Sequence, residues 1–109
     1  MKTFLVTGGH GLLGKSMVYF LLKKNFKVVI LDYKRNREKN KFDKNIKNLI
    51  IIKGNLVNKK IINQILDKYR FHGIFHLGAQ TQVIKALSLP YETYRVNVLG
   101  TLNILEKLR

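Results

Sequence analysis

Four short apolar runs recur along the chain: Thr3–Thr7 (TFLVT), Val28–Leu31 (VVIL), Leu49–Ile52 (LIII) and Ile74–Leu77 (IFHL). Each is continuous rather than alternating, rich in β-branched or aromatic residues, and bounded by polar residues or glycine. Strands covered on both faces of a parallel sheet have this pattern. Between the runs the period changes to that of helices. Over Leu12–Lys24 one apolar stripe is formed by Leu13, Met17, Phe20 and Leu21. Ile61, Ile62, Ile65 and Leu66 form another over Asn58–Tyr69, and Tyr94, Val98, Leu102 and Leu105 a third over Tyr91–Leu108. Pro90 is preorganised for the start of that last helix. The predicted order is β-α-β-loop-β-α-β-α, which implies right-handed crossovers and an α/β, doubly wound parallel sheet.

The stretch from Tyr33 to Asn48, YKRNREKNKFDKNIKN, breaks this rhythm. It is charged and aperiodic, with Phe42 and Ile46 as its apolar anchors, and is expected to be a solvated loop. There is no internal repeat, and 109 residues hold one domain.

Composition excludes several classes of function. The absence of cysteine removes disulfides, thiolate nucleophiles and cysteine metal sites. No run approaches the roughly 18 apolar residues of a membrane span. Before Gly8 there is no apolar stretch of roughly 7–15 residues such as a secretory signal needs. The chain is therefore expected to be cytoplasmic. The net charge of +15 invites a nucleic-acid reading. However, 16 of the 21 basic residues are lysine, in a chain crowded with Ile and Asn and holding two Ala, a bias that A/T-rich codons alone produce. The charge is spread along the chain without an aromatic stacking platform, so nucleic acid is not the expected partner.

One segment carries specific chemistry. Directly after the first run, VTGGHGLLGKS spaces glycines as Gly8-x-x-Gly11-x-x-Gly14, with Gly9 as an extra. A strand, a tight glycine turn and an amphipathic helix make up a dinucleotide fingerprint, whose helix N-terminus faces a diphosphate. Gly8 suits the turn, Gly11 allows backbone to approach phosphate, and Gly14 brings helix and strand together. Asp32 ends the second strand, 18 positions beyond Gly14. An acid there binds adenosine ribose hydroxyls and repels a 2′-phosphate, favouring NAD over NADP. Lys34 and Arg35 leave NADP open. The fold implied is Rossmann-like, with about four strands in the order 3-2-1-4.

The chain resembles the extended short-chain dehydrogenase/reductase family, the NAD-dependent epimerases and dehydratases of nucleotide sugars. TGGHGLLG is similar to that family's TGxxGxxG turn, and GNLVN (Gly54–Asn58) to its G-D-L-x-D segment. FHLGAQTQV (Phe75–Val83) is similar to its H-L-A-A-Q segment, and PYETYRVNVLGTLNILE (Pro90–Glu106) to its N-V-x-G-T-x-N-L-L-E helix. The wording is closest to the CDP-glucose type of 4,6-dehydratase. By this resemblance Gly8, Gly11, Leu12, Leu13 and Gly14 hold the pyrophosphate, and Asp32 the ribose. Asn55 and Leu56 contact adenine, with Asn55 replacing the family's usual Asp. Leu77, Gly78, Ala79 and Gln80 line cofactor and substrate. Gly78 stands where Ala is frequent, which suggests a looser wall. Asn97 contacts cofactor near the active site.

The family's Ser/Thr and its Tyr-x-x-x-Lys helix follow the fourth strand and its helix, where this chain reaches Arg109. The resemblance thus implies the N-terminal portion of an NAD(P)-binding domain over residues 1–109, without the catalytic and substrate part. Such a portion takes NAD, meets a nucleotide sugar only with the missing half, and presents its fourth strand as an uncovered edge open to association. A stand-alone or split-partner dinucleotide-binding module remains the alternative. Tyr19 and Lys23 match Tyr-x-x-x-Lys, but on the first helix, where a helix tyrosine beside a surface lysine is expected. The histidines fit no common zinc spacing, and His10 is expected to face solvent from the turn.

Overall fold

The structure is a computed structural model that describes residues 1–33, 46–78 and 87–109. Its elements are β1 (Thr3–Thr7), α1 (Leu12–Lys23), β2 (Lys27–Asp32), β3 (Leu49–Lys53), α2 (Lys59–Lys68), β4 (Gly73–His76) and α3 (Pro90–Tyr94). A π-helical turn, Arg95–Leu99, then leads into α4 (Gly100–Leu108). The strands form one parallel sheet in the order β3-β2-β1-β4, as expected. Leu5 pairs with Val29 on one side and with Ile74 on the other.

The unbroken apolar runs have a simple cause. Successive side chains of a strand point to opposite faces, and both faces of β1 and β2 are covered. Phe4, Val6, Val28 and Ile30 pack with Val18 and Leu21 of α1. Leu5, Val29 and Leu31 pack on the other face with Leu56, with Ile62 and Ile65 of α2, and with Ile104 of α4. Burying each such side chain contributes about 1.5–3 kcal/mol. Ile46, one of the two anchors of the charged stretch, is half-buried against the first cluster. Phe42 lies outside the described residues.

Two helical stripes differ from expectation. On α1 the buried residues are Gly14, Val18 and Leu21, while Leu13 is 71 % and Phe20 56 % exposed. Close contact of Gly14 with the β1 turn sets the helix rotation, and the row one residue beyond the predicted one faces the sheet. On α4 the buried residues are Gly100 and Ile104, whereas Tyr94, Leu102 and Leu105 are exposed. Here the π turn accommodates an extra residue and rotates α4 about its axis, so a stripe read at constant period runs out of phase. For α2 the expected stripe holds, with Ile62 and Ile65 buried at its centre. Its start is fixed by Asn58, whose side-chain oxygen accepts from the N–H groups of Lys60 and Ile61. Among the described residues no helix is long and apolar enough to cross a membrane.

Candidate dinucleotide site

The site lies at the carboxyl ends of the strands, where open parallel sheets bind ligands. β1 gives way to a turn at Gly8, whose φ is +70°, a left-handed conformation that glycine adopts without penalty. The Gly8 N–H donates to the Leu31 carbonyl at 2.9 Å and so ties the turn to β2. A Cβ at Gly8 would stand 2.8 Å from the backbone of Leu77 and Gly78. α1 starts from Gly11, which has no side chain to cap it, and its first turn carries no acidic residue. The N-terminal N–H groups of α1 therefore meet no side-chain acceptor at the cap position, an arrangement suited to an anion. Leu12 and Leu13 are exposed beside this turn.

Asp32, at the end of β2, is 6 % exposed. Its carbonyl accepts from the Gly54 N–H at 2.9 Å, joining β2 to the segment after β3. Its Oδ2 accepts from the backbone N–H of His10 at 3.1 Å, and the His10 Nδ1 stands 3.4 Å from the same oxygen. His10 is thus buried against the carboxylate instead of facing solvent. The turn folds back over the end of β2, bringing both the His10 amide and its ring onto Asp32.

Asn55 and Leu56 follow Gly54. The Asn55 Oδ1 accepts from the Val57 N–H at 3.2 Å, closing a local turn with one lone pair. The Leu56 side chain is buried beneath α4, and its carbonyl accepts from the Asn103 Nδ2 at 2.8 Å. On the other side of the crevice the Gly78 N–H donates to the Thr7 Oγ1 at 2.9 Å. The wall at Gly78 is tight, contrary to expectation. A Cβ there would meet Leu56 Cδ1 at 2.8 Å, and Thr7 Oγ1 and the Gly8 nitrogen at 3.2 Å. The small residue is matched to a leucine leaning across from the opposite segment. Ala79 and Gln80 lie outside the described residues, as do Lys34 and Arg35. Asn97 lies in the π-helical turn, half-buried, with its carbonyl accepting from the Thr101 Oγ1 at 2.9 Å.

The structure therefore brings together the β1 turn, the Asp32 carboxylate and the Leu77–Gly78 segment, with Leu56 packed between Gly78 and Gly100. Tyr19 and Lys23 stay apart on α1, where the Tyr19 ring faces the Lys15 Nζ at 5.8 Å. Sequence reasoning missed one group. His76, read only as a metal ligand to be dismissed, bonds Thr7 through Nδ1 at 2.7 Å and Thr101 through Nε2 at 2.9 Å. Its signal was positional, since Thr7 and His76 close adjacent strands. Burial holds the His76 pKa below its ordinary 6.5.

Strand order, glycine turn and an acid closing β2 define a Rossmann-like unit. The chain belongs to the GDP-mannose 4,6 dehydratase family, whose model matches residues 5–109. It is 29 % identical over 108 residues to a CDP-paratose 2-epimerase of Salmonella typhi, covering 96 % of this chain and 32 % of that protein. It is 32 % identical over 113 residues to UDP-glucose 4-epimerase 1 of Oryza sativa subsp. japonica, covering 97 % of this chain and 32 % of that enzyme. Among solved structures, a UDP-glucose 4-epimerase of Thermus thermophilus in complex with NAD superposes with a TM-score of 0.84 at 28 % identity. That match covers 96 % of this chain and 33 % of the enzyme. The chain thus spans about a third of the length of these relatives, which are epimerases in a family described as dehydratases.

Proposed function

We propose that these 109 residues are the NAD-binding portion of a nucleotide-sugar epimerase or dehydratase. The observation that carries this reading is the buried Asp32 carboxylate beside a glycine turn that opens α1 with no side-chain cap. In this reading Gly8, Gly11 and Gly14 let the diphosphate approach the start of α1, Leu12 and Leu13 present backbone N–H groups to it, and Asp32 accepts from the adenosine ribose. Asn55 keeps a second lone pair for the adenine amino group. The segment Leu77, Gly78, Ala79 and Gln80 is assigned to the lining of cofactor and substrate, and Asn97 to contact with the cofactor near the active site. Bound NAD supplies a hydride acceptor for a sugar carbinol. NAD is preferred to NADP because the carboxylate repels a 2′-phosphate.

Proton transfer to and from the sugar would come from residues outside these 109. The chain's one Tyr-x-x-x-Lys match lies on α1, and none of Leu77, Gly78, Ala79, Gln80 and Asn97 is a general base for a sugar hydroxyl. The chain alone is therefore expected to bind cofactor without turning over nucleotide sugars. Calorimetric titration with NAD and NADP tests this reading. Micromolar binding of NAD, weaker binding of NADP and no turnover are expected. A folded chain that binds neither nucleotide, or that converts a UDP- or CDP-sugar unaided, overturns it.

A second reading, one half of a split enzyme, draws on β4, which pairs with β1 and forms an edge of the described sheet. Exposed Leu102, Leu105 and Leu108 lie on α4. Recovery of turnover on mixing with a separate polypeptide carrying the Tyr-x-x-x-Lys helix would establish it.

A further inference from the structure

Hydrogen-bond donors and acceptors can be counted along the path from β1 to α4. The Thr101 hydroxyl donates to the Asn97 carbonyl at 2.9 Å. A hydroxyl has one proton, so toward His76 the Thr101 oxygen accepts, and the His76 Nε2, at 2.9 Å, must carry a hydrogen. In a neutral imidazole Nδ1 is then bare and accepts from the Thr7 hydroxyl at 2.7 Å. The Thr7 oxygen, having given its proton, accepts from the Gly78 N–H at 2.9 Å. Every group in the series Gly78–Thr7–His76–Thr101–Asn97 is satisfied, and all bonds run in one direction. The Nδ1-protonated tautomer breaks it twice: the Thr7 oxygen then accepts from both Gly78 and His76 and its own hydrogen has no acceptor in the series, while the Thr101 hydroxyl must leave the Asn97 carbonyl to serve the bare Nε2.

The two ends of this series matter. Thr7 is the last residue of β1, immediately before the Gly8 turn, and Gly78 follows β4 on the opposite wall. Asn97 lies in the π-helical turn, a geometry found mostly as single turns inside α-helices and frequently at functional sites. A threonine hydroxyl bonded back to the carbonyl four residues earlier bends a helix locally, and His76 holds that hydroxyl from the sheet side.

We propose that His76 is a positioning residue, a neutral imidazole fixed in its Nε2–H tautomer, that sets the Asn97 turn relative to the Thr7–Gly8 end of β1. It touches no reacting atom; its role is exerted through Thr7 and Thr101. The consequence for cofactor affinity rests on the proposed NAD binding, but the arrangement itself does not.

Nitrogen-15 imidazole shifts of the labelled chain at pH 7.5 read the tautomer directly. A bare Nδ1 and a protonated Nε2 are expected. Thr101→Val removes the hydroxyl at nearly constant shape, and Thr101→Ser restores it. In Thr101→Val the His76 tautomer preference is expected to weaken and the Gly78 amide resonance to move, with NAD affinity falling about tenfold. Thr101→Ser should return all three to wild-type values. A proton on Nδ1 in the wild-type chain, or a Gly78 resonance equally insensitive to both variants, overturns the proposal. If the wild-type chain binds no NAD while tautomer and Gly78 resonance behave as stated, the cofactor reading fails and the positioning role stands. Should Thr101→Val not fold, the wild-type tautomer and the Thr101→Ser spectrum still decide.

Discussion

The Cβ that Gly14 lacks would stand 1.9 Å from the carbonyl oxygen of Gly8. Here α1 rests backbone against backbone on the end of β1, with no flexible side chain to give way. Gly14→Ala is expected to cost about 3 kcal/mol or more, read as a lowered urea midpoint. At Gly11 the added methyl would lie 3.3 Å from that same oxygen. Gly11→Ala should therefore be tolerated better by the fold while weakening NAD binding, because it sits where the diphosphate would approach. Equal destabilisation by the two substitutions would contradict this division of roles.

Asp32 offers one carboxylate oxygen to the His10 amide, and a carboxylate has acceptor sites on both oxygens with which to serve a ribose as well. Asp32→Ala removes these acceptors and the charge that repels a 2′-phosphate. Hydrogen bonds to charged groups contribute about 1.5–3 kcal/mol, so NAD affinity is expected to fall roughly 10- to 100-fold. NADP should lose much less, bringing the two affinities together. Calorimetry with both nucleotides checks this, and an unchanged NAD:NADP ratio would sink the assignment of Asp32 as the discriminating group.

The sheet was legible because its signal is redundant. β1 and β2 are buried on both faces, and one continuous apolar run reports both. The glycine turn and Asp32 were legible for a related reason, since steric exclusion at Gly8 and Gly14 leaves a mark in residue type itself. What escaped was set by tertiary contact. The rotation of α1 follows from Gly14 lying on Gly8, and the phase of α4 from a π turn that no hydrophobic period announces. His10 looked like a free turn residue because its partner, Asp32, lies 22 positions away on another strand. His76 was invisible as a hydrogen-bonding group, because its two hydroxyl partners belong to β1 and α4. The tightness at Gly78 depends on Leu56, a contact across the crevice that spacing cannot show.

Asn58 caps α2 through two backbone N–H groups. Asn58→Ala is expected to cost about 1 kcal/mol, lowering Tm by about 4–8 °C for a domain near this size. Asn58→Asp keeps an acceptor and adds a favourable charge at the helix start, so it should retain the wild-type Tm or exceed it. Thermal melts followed by circular dichroism distinguish these outcomes, and a melt for Asn58→Ala that matches wild type would remove the cap from the account.

His76 gives the fold a pH dependence whose sign follows from burial. Desolvation lowers its pKa in the folded chain below the ordinary 6.5 of the unfolded state. Above pH 6.5 both states hold a neutral imidazole and His76 contributes no slope. As pH falls through 6.5 the unfolded chain takes up a proton first, and stability declines until the folded-state pKa is also passed. Protonation also places a hydrogen on Nδ1 against Thr7, so the Thr7 hydroxyl loses its acceptor. Urea unfolding at pH 8, 6.5 and 5.5 is therefore expected to show decreasing stability in the wild-type chain. His76→Gln isolates the contribution, since it removes this one proton site. Its stability should be lower at pH 8 but should decline less between pH 6.5 and 5.5. Parallel curves for the two proteins across that interval would show that His76 does not carry the dependence.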